Sequence, residues 1–332
     1  MSKIALIIPY FGKYPNMIHV WIKTVKYNPD IDFLLFSDKS SSDDLPENLI
    51  WYNISFPEIK KLAQVNFDFP IWLETPYKLC DYKPAYGVIF KDYLKKYDFW
   101  GHCDPDIVWG DFSHFINDDI LKHYDRIYTR GHLCIYRNNE KMNNLFRIDH
   151  KYRDCYHFRR VYSRRFGCDY DEWGTKYGLG ISTICKRLDI PTYDEIDFAD
   201  ISYSYYDFRL ATPDSFNPQI FVSTPSGLFG YKINNGILES KEYLYVHLQK
   251  RNMEMDDFNI NEDNFVIIPN KFVHANSKDE LFNLIEQIPK HKFYLEWYKK
   301  RIKRVFTKIS EGALSELIYR KLCIHGIIRY KG

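Results

Sequence analysis

Along this 332-residue chain the apolar positions follow two periods, and the first forty residues show both. Ile4 to Pro9 (IALIIP) is a continuous apolar run rich in β-branched residues. It predicts a strand buried on both faces that runs into a Tyr-Phe-Gly loop. From Asn16 to Tyr27 the residues Met17, Val20, Trp21, Thr24 and Val25 recur near helical spacing. A second buried strand is predicted at Phe33–Phe36, ending in Ser37-Asp38. Strand, helix and strand in succession make a βαβ unit, which predicts a parallel, doubly wound sheet. Ligands of such sheets lie beyond the carboxyl ends of the strands. Pro9, Tyr10 and Phe11 in the first loop, and Asp38 in the second, are therefore candidate nucleotide contacts.

Leu49–Ile54 reads as a further strand, and Pro84–Lys96 as a helix with proline in its first turn, where a missing N–H costs little. Tyr97–Cys103 is strand-like and ends in Asp104-Pro105-Asp106, with Ile107–Gly110 continuing it. Helices are predicted over 112–122 and 138–147, short strands over 126–130 and 133–136, and a loop leading into a helix between Asp171 and Leu188. Residues 223–248 form hairpin-like segments with an Asn-Asn-Gly turn at 234–236. The pattern predicts an α/β chain with a Rossmann-type, mostly parallel central sheet flanked by helices. One catalytic domain spans residues 1–275, and a basic helical extension spans 276–332.

Composition adds three points. A net charge of only +2 carries no nucleic-acid signature. From Lys290 to Lys331, however, twelve Lys or Arg face three Glu, interleaved with Phe293, Trp297, Ile302, Val305, Phe306 and Ile309. A basic amphipathic helix of this kind suits an anionic membrane surface, and equally a helix docked on the domain with its basic face in water. The seven cysteines show no C-x-x-C spacing, which points to reduced thiols rather than a zinc or redox motif. No apolar run reaches the length of a membrane span, and the N-terminal run is too short for a signal peptide. The expected location is the cytoplasm, with peripheral contact at the inner face of the cell membrane.

The sharpest chemical feature is Asp104-Pro105-Asp106 at the end of an aromatic-rich strand. Two carboxylates two residues apart on extended chain point alike, and Pro105 shapes the turn so that both can approach one cation. Hard divalent ions such as Mg²⁺ or Mn²⁺ take oxygen ligands and bridge carboxylate to diphosphate. A nucleoside diphosphate leaves poorly until its developing charge is neutralised. Lys83, near a helix N-terminus, offers a cation and backbone N–H groups to an anion.

Three segments together, KIALIIPYFGKYPN with FLLFSD behind it, YDFWGHCDPDIVWGDF, and YLYVHLQKR, resemble a family of bacterial polysaccharide-biosynthesis glycosyltransferases of the capsule and O-antigen type. The resemblance covers roughly residues 3–275 and implies a GT-A-like fold. It also implies a nucleotide-sugar donor, UDP-linked by preference, and a saccharide acceptor that can be lipid-linked. Asp104 and Asp106 match the family's D-x-D metal motif, and His247 matches its late histidine ligand. Around His247 the strand Tyr243–Val246 and the cations Lys250 and Arg251 suit a metal ligand beside a phosphate grip. Lys78 and Asp81 resemble the basic and acidic pair that such enzymes set against ribose, sugar hydroxyls or phosphate. Asp171 and Glu172, at a loop-to-helix junction, fit the carboxylate that would deprotonate the acceptor, although acidic residues favour helix starts for their own reasons. Two other functions stand beside it: a metal-dependent phosphoesterase or nucleotidyl hydrolase using the same aspartates, and a non-catalytic carbohydrate-binding protein rich in aromatics, which would not need the acidic triplet.

Overall fold

Strand β1 (Ile4–Pro9) buries every residue except Pro9. The computed structural model describes residues 2–40, 44–152, 155–171, 179–211, 216–256 and 258–289, with positions 293–295, 298, 299, 301–303, 306, 318 and 322. After β1 come a helix at Ile18–Val25, β2 (Ile31–Ser37) and β3 (Leu49–Asn53). Then follow β4 (Phe99–Cys103), β5 (Ile107–Trp109), β6 (Arg126–Arg130), β7 (Leu133–Arg137), β8 (Thr192–Tyr193) and β9 (Ala199–Asp200). The last described strands are β10 (Ile220–Thr224), β11 (Gly227–Asn234), β12 (Ile237–Tyr243), β13 (Tyr245–His247), β14 (Phe265–Ile268) and β15 (Lys271–Val273).

These strands form three sheets, which corrects the expectation of a single, mostly parallel Rossmann-type, GT-A-like sheet. The first has the order β3-β2-β1-β4-β7-β6-β8. Strands β1 to β4 in it are parallel, but β7 runs antiparallel to both β4 and β6. The second, β12-β11-β10-β14-β15, is antiparallel throughout. The third is the small sheet β5-β13-β9. The reason lies in connection length. Only Gly131 and His132 separate β6 from β7, and so short a link can join only antiparallel neighbours. Likewise β11 and β12 turn through Asn235 and Gly236, both at positive φ (50° and 76°), as a tight primed hairpin turn requires.

Alternate residues of β1 face two cores. Ala5 and Ile7 join Leu34, Phe36 and Trp100 on one side, while Ile4, Leu6 and Ile8 join Trp21, Phe33 and Trp109 on the other. In β4, Gly101 lets β1 and β7 close in from both sides. A Cβ there would lie 2.5 Å from the Cys134 carbonyl oxygen and 2.9 Å from a Leu6 methyl group.

The expected helix over 84–96 is instead a short 3₁₀ turn at Lys83–Ala85 and one α-turn at Tyr86–Ile89. Every residue from Asp81 to Phe90 is buried, so this segment has no solvent face to give it an amphipathic period. Residues 112–122 and 138–147 similarly divide into short helical turns, capped by the Asn117 and Asn139 side chains. Lys278–Glu286 forms a helix whose Leu281 and Ile285, with Ile288 behind them, pack on Ile220 and Val266 of the second sheet. The packing of that sheet thus runs past residue 276. Farther on, Phe293 stacks on Tyr205 with ring centroids 5.3 Å apart, and the Tyr294 N–H donates to the Ser204 carbonyl. Trp297, Val305 and Ile309 of the basic stripe lie outside the described residues. Among the described residues no helix is long and apolar enough to cross a membrane.

Candidate metal centre

Pro105 cannot donate to a strand ladder, and the chain changes sheets there. Strand β4 ends at Cys103 in the first sheet, while β5 pairs antiparallel with β13 in the third, so it does not continue β4 as the pattern suggested. The register sets Ile107 opposite His247, and on the other side of β13 it sets His247 opposite Asp200. The switch of sheets at Pro105 therefore brings three strand ends together. Asp104, Asp106 and His247 offer ligand atoms that all lie within 4.8 Å of one another. A second set, His132, Asp200 and His247, satisfies the same condition and shares the histidine. Both are donor sets of the kind that a metal-dependent enzyme uses.

His247 is buried, with its Nδ1 2.9 Å from Asp200 Oδ1. Its Nε2 faces Asp106 Oδ1 at 3.5 Å and makes no hydrogen bond, although it is buried. A buried ring nitrogen without a hydrogen bond, aimed at a carboxylate, fits a cation that both would hold. Burial would lower the basicity of His247, but Asp106 and then Asp200 raise it to about 10. The two carboxylates thus favour the imidazolium form while no ion is bound, and a cation would enter in exchange for its proton. Asp106 is lowered by His247 against the opposing effect of burial.

Asp106 is held from behind by the chain that follows His247. Its Oδ2 accepts the Lys250 backbone N–H at 2.6 Å, and its carbonyl accepts the Leu248 N–H. Gln249 and Lys250 both sit at positive φ (53° and 57°). Two successive non-glycine residues in the left-handed region cost roughly 1–2 kcal/mol each. Here that backbone aims the Lys250 N–H at Asp106 and accompanies a 2.6 Å bond from the Gln249 amide to Asp200.

Asp104 meets Lys83. The Lys83 ammonium lies 2.9 Å from Asp104 Oδ1, 3.3 Å from Asp171 Oδ2 and 2.6 Å from the Gly131 carbonyl. Burial opposes ionisation of Asp104, but Lys83 first, then Lys250 and His247, hold its carboxyl at about 2. The Cys80 thiol, beside the same charges, is pushed up to about 12, chiefly by burial.

The remaining candidates divide by place. Tyr10, at the end of β1, has its phenol raised by burial and then by Asp106, so it borders the centre. It stacks on Tyr14, whose hydroxyl donates to Ser37 at the end of β2, one residue before exposed Asp38. Pro9 closes β1 opposite Phe36, and Phe11 packs on Phe56. Lys250 is exposed as a residue, but its ammonium lies 5.2 Å from the Tyr77 ring centroid and, against the effect of burial, is raised by Tyr77, Asp104 and Asp106. Lys78 and Asp81 are buried against each other at 2.8 Å. The Lys78 ammonium also meets the carbonyls of Val161 and Phe166, and Asp81 accepts the N–H groups of Cys168 and Tyr170. This pair thus anchors the loop that leads to Asp171. Arg251 grips the carbonyls of Ser202, Tyr205 and Tyr206 rather than facing the centre. Glu172 lies outside the described residues.

Residues 6–276 match the model of a family of unknown function, DUF6625. The chain belongs to that family. No curated protein matches it. The matched span contains both donor sets and ends before the basic tail.

Neither Asp200 nor His132, whose surroundings in the sequence fit a strand flank and a turn equally, stands out as a ligand from the sequence alone. Asp200 does carry one local signal, since it follows a short apolar run, Phe198-Ala199, much as Asp38 follows β2. His132 carries none, because it lies in the two-residue β6–β7 turn and its place beside His247, with ring centroids 4.4 Å apart, is a matter of tertiary packing.

Proposed function

We propose that this chain is a metal-dependent glycosyltransferase. It would move a sugar from a nucleotide-diphosphate donor, UDP-linked by preference, to a saccharide acceptor in bacterial surface polysaccharide synthesis. The observation that carries the reading is the convergence of Asp104, Asp106 and His247 beside Tyr10, at the carboxyl end of the parallel strands. The resemblance of the three sequence segments supplies the reaction class. A divalent cation bound there would neutralise charge on the departing diphosphate. The mixed oxygen and nitrogen donor set favours Mn²⁺ over Mg²⁺. Within this reading Asp104, Asp106 and His247 hold the ion, the Lys250 ammonium meets phosphate, and Tyr10 with Asp38 lines the nucleoside side. Asp171 takes the proton of the acceptor hydroxyl, and Lys83 sets its position.

Calorimetry of UDP binding with Mn²⁺ and with EDTA tests the centre, and product analysis across a panel of nucleotide-sugars tests the reaction. Affinity should require Mn²⁺ and vanish in Asp106→Asn. Undiminished affinity in EDTA, or in that variant, overturns the reading. A second reading, a nucleotide hydrolase, gains from His132 and Asp200, which enlarge the donor set beyond a D-x-D pair. It predicts metal-dependent release of phosphate or nucleoside monophosphate with no acceptor consumed.

A further inference from the structure

We infer that Asp200 is a positioning residue for the metal centre: it fixes the ring of His247 so that Nε2, not Nδ1, faces the ion. The inference rests on the metal reading above and deepens it. Asp200 Oδ1 lies 2.9 Å from His247 Nδ1, and the ring has only one other nitrogen to offer. That Nε2 points to Asp106 and makes no hydrogen bond. A carboxylate that accepts the Nδ1–H hydrogen bond keeps the hydrogen on Nδ1, leaves Nε2 for the ion and holds the ring plane.

Asp200 is itself held. The Gln249 amide donates to the same Oδ1 at 2.6 Å, from a residue whose left-handed backbone lies within the turn that also presents the Lys250 N–H to Asp106. On the other side the His132 ring packs on that of His247 with centroids 4.4 Å apart, and His132 Nδ1 is taken up by the Tyr245 hydroxyl at 2.9 Å. The His132 Nε2 is 3.9 Å from Asp200 Oδ2, beyond hydrogen-bond reach. Because His247 has one nitrogen for each side, the two donor sets cannot both be filled through it. The hydrogen bonds from His247 and Gln249 to Asp200 assign Asp200 to the supporting role.

The test uses Mn²⁺ alone as the probe, on the full chain, with binding followed by titration and by pulsed electron-spin resonance, which detects nitrogen coupled to the ion. The wild type should bind Mn²⁺ with one imidazole coupling that disappears in His247→Ala. Asp200→Ala should bind Mn²⁺ about 10–100-fold more weakly, the usual loss when such a supporting partner is removed. Its residual complex should show a weakened or absent imidazole coupling. Asp200→Asn keeps an acceptor for the Nδ1 hydrogen and should fall between the two. If Asp200→Ala does not fold, Gln249→Met, which frees the carboxylate without removing it, should still cost several-fold.

If the wild type binds no Mn²⁺, the metal reading itself fails. If it binds with imidazole coupling, and Asp200→Ala or Gln249→Met keeps both affinity and coupling, the metal stands and the role of Asp200 falls. Coupling to two imidazoles, one of them lost in His132→Ala, would place the ion in the other donor set and overturn the inference.

Discussion

Replacing Lys83 with methionine removes one buried cation from between two carboxylates. The ammonium lies 2.9 Å from Asp104 and 3.3 Å from Asp171, and these three side chains are 8%, 24% and 5% exposed. Methionine retains most of the volume, so the loss is electrostatic rather than a cavity. Breaking a buried ion pair by removing one partner typically costs about 3–5 kcal/mol, because the other charge stays buried. For a chain of this size that corresponds to a melting temperature lower by roughly 10 °C. The pH dependence gives the signature. Asp104 is held at about 2 against an ordinary 3.8. Its share of the stability is therefore complete above the ordinary value and fades as pH falls towards 2. The gap between wild type and Lys83→Met should be widest near neutrality and close in acid. Urea denaturation from pH 2 to 8 measures it. Adding Asp171→Asn to Lys83→Met should recover part of the loss, since one of the two stranded charges is gone. Equal stability of wild type and Lys83→Met at pH 7 would refute the reasoning, as would a gap that does not depend on pH.

Two further outcomes follow from the proposed chemistry. Asp171→Asn should lower turnover about 10²–10⁴-fold while leaving the Mn²⁺-dependent affinity for UDP largely intact, as loss of a general base does; unchanged turnover in that variant removes Asp171 from the role and points to a mechanism without such a base. The exposed Ile302 and Phe306, beside Lys299, Arg301 and Lys303, should bring the chain to anionic but not zwitterionic vesicles, with salt weakening the contact; equal sedimentation with both kinds of vesicle rules out an electrostatic attachment.

The segments that could be located from the sequence were those whose pattern reports a local cause. The apolar runs of β1 and β2, the helix between them and the Asn-Gly turn after β11 all follow from burial, period and backbone preference. The helices expected over 84–96, 112–122 and 138–147 are shorter in the structure. Their residues have helix-compatible composition, but the first segment is enclosed as far as Phe90 and the others are interrupted by side-chain caps. Strand direction departs from the pattern for a related reason. A buried strand has the same composition beside a parallel or an antiparallel neighbour, so β4 did not announce that β7 would reverse on its flank.

The candidate site divides in the same way. Asp104-Pro105-Asp106 is local: two acids, a proline and an apolar strand before them are enough to suggest a cation site from the chain alone. His247 was reached through the resemblance and through its place at a strand end. What only the tertiary structure decided is the set of partners. Lys83 joins Asp104 to Asp171 across the segment between them, and Asp200 meets His247 because β9 lies beside β13. Lys78 and Asp81 spend their charges on each other and on nearby backbone groups. Residue type and spacing state which chemistry a side chain can perform. Which groups stand within 3–4 Å of it depends on strand register and on the change of sheet at Pro105, and these arise only when distant segments pack together.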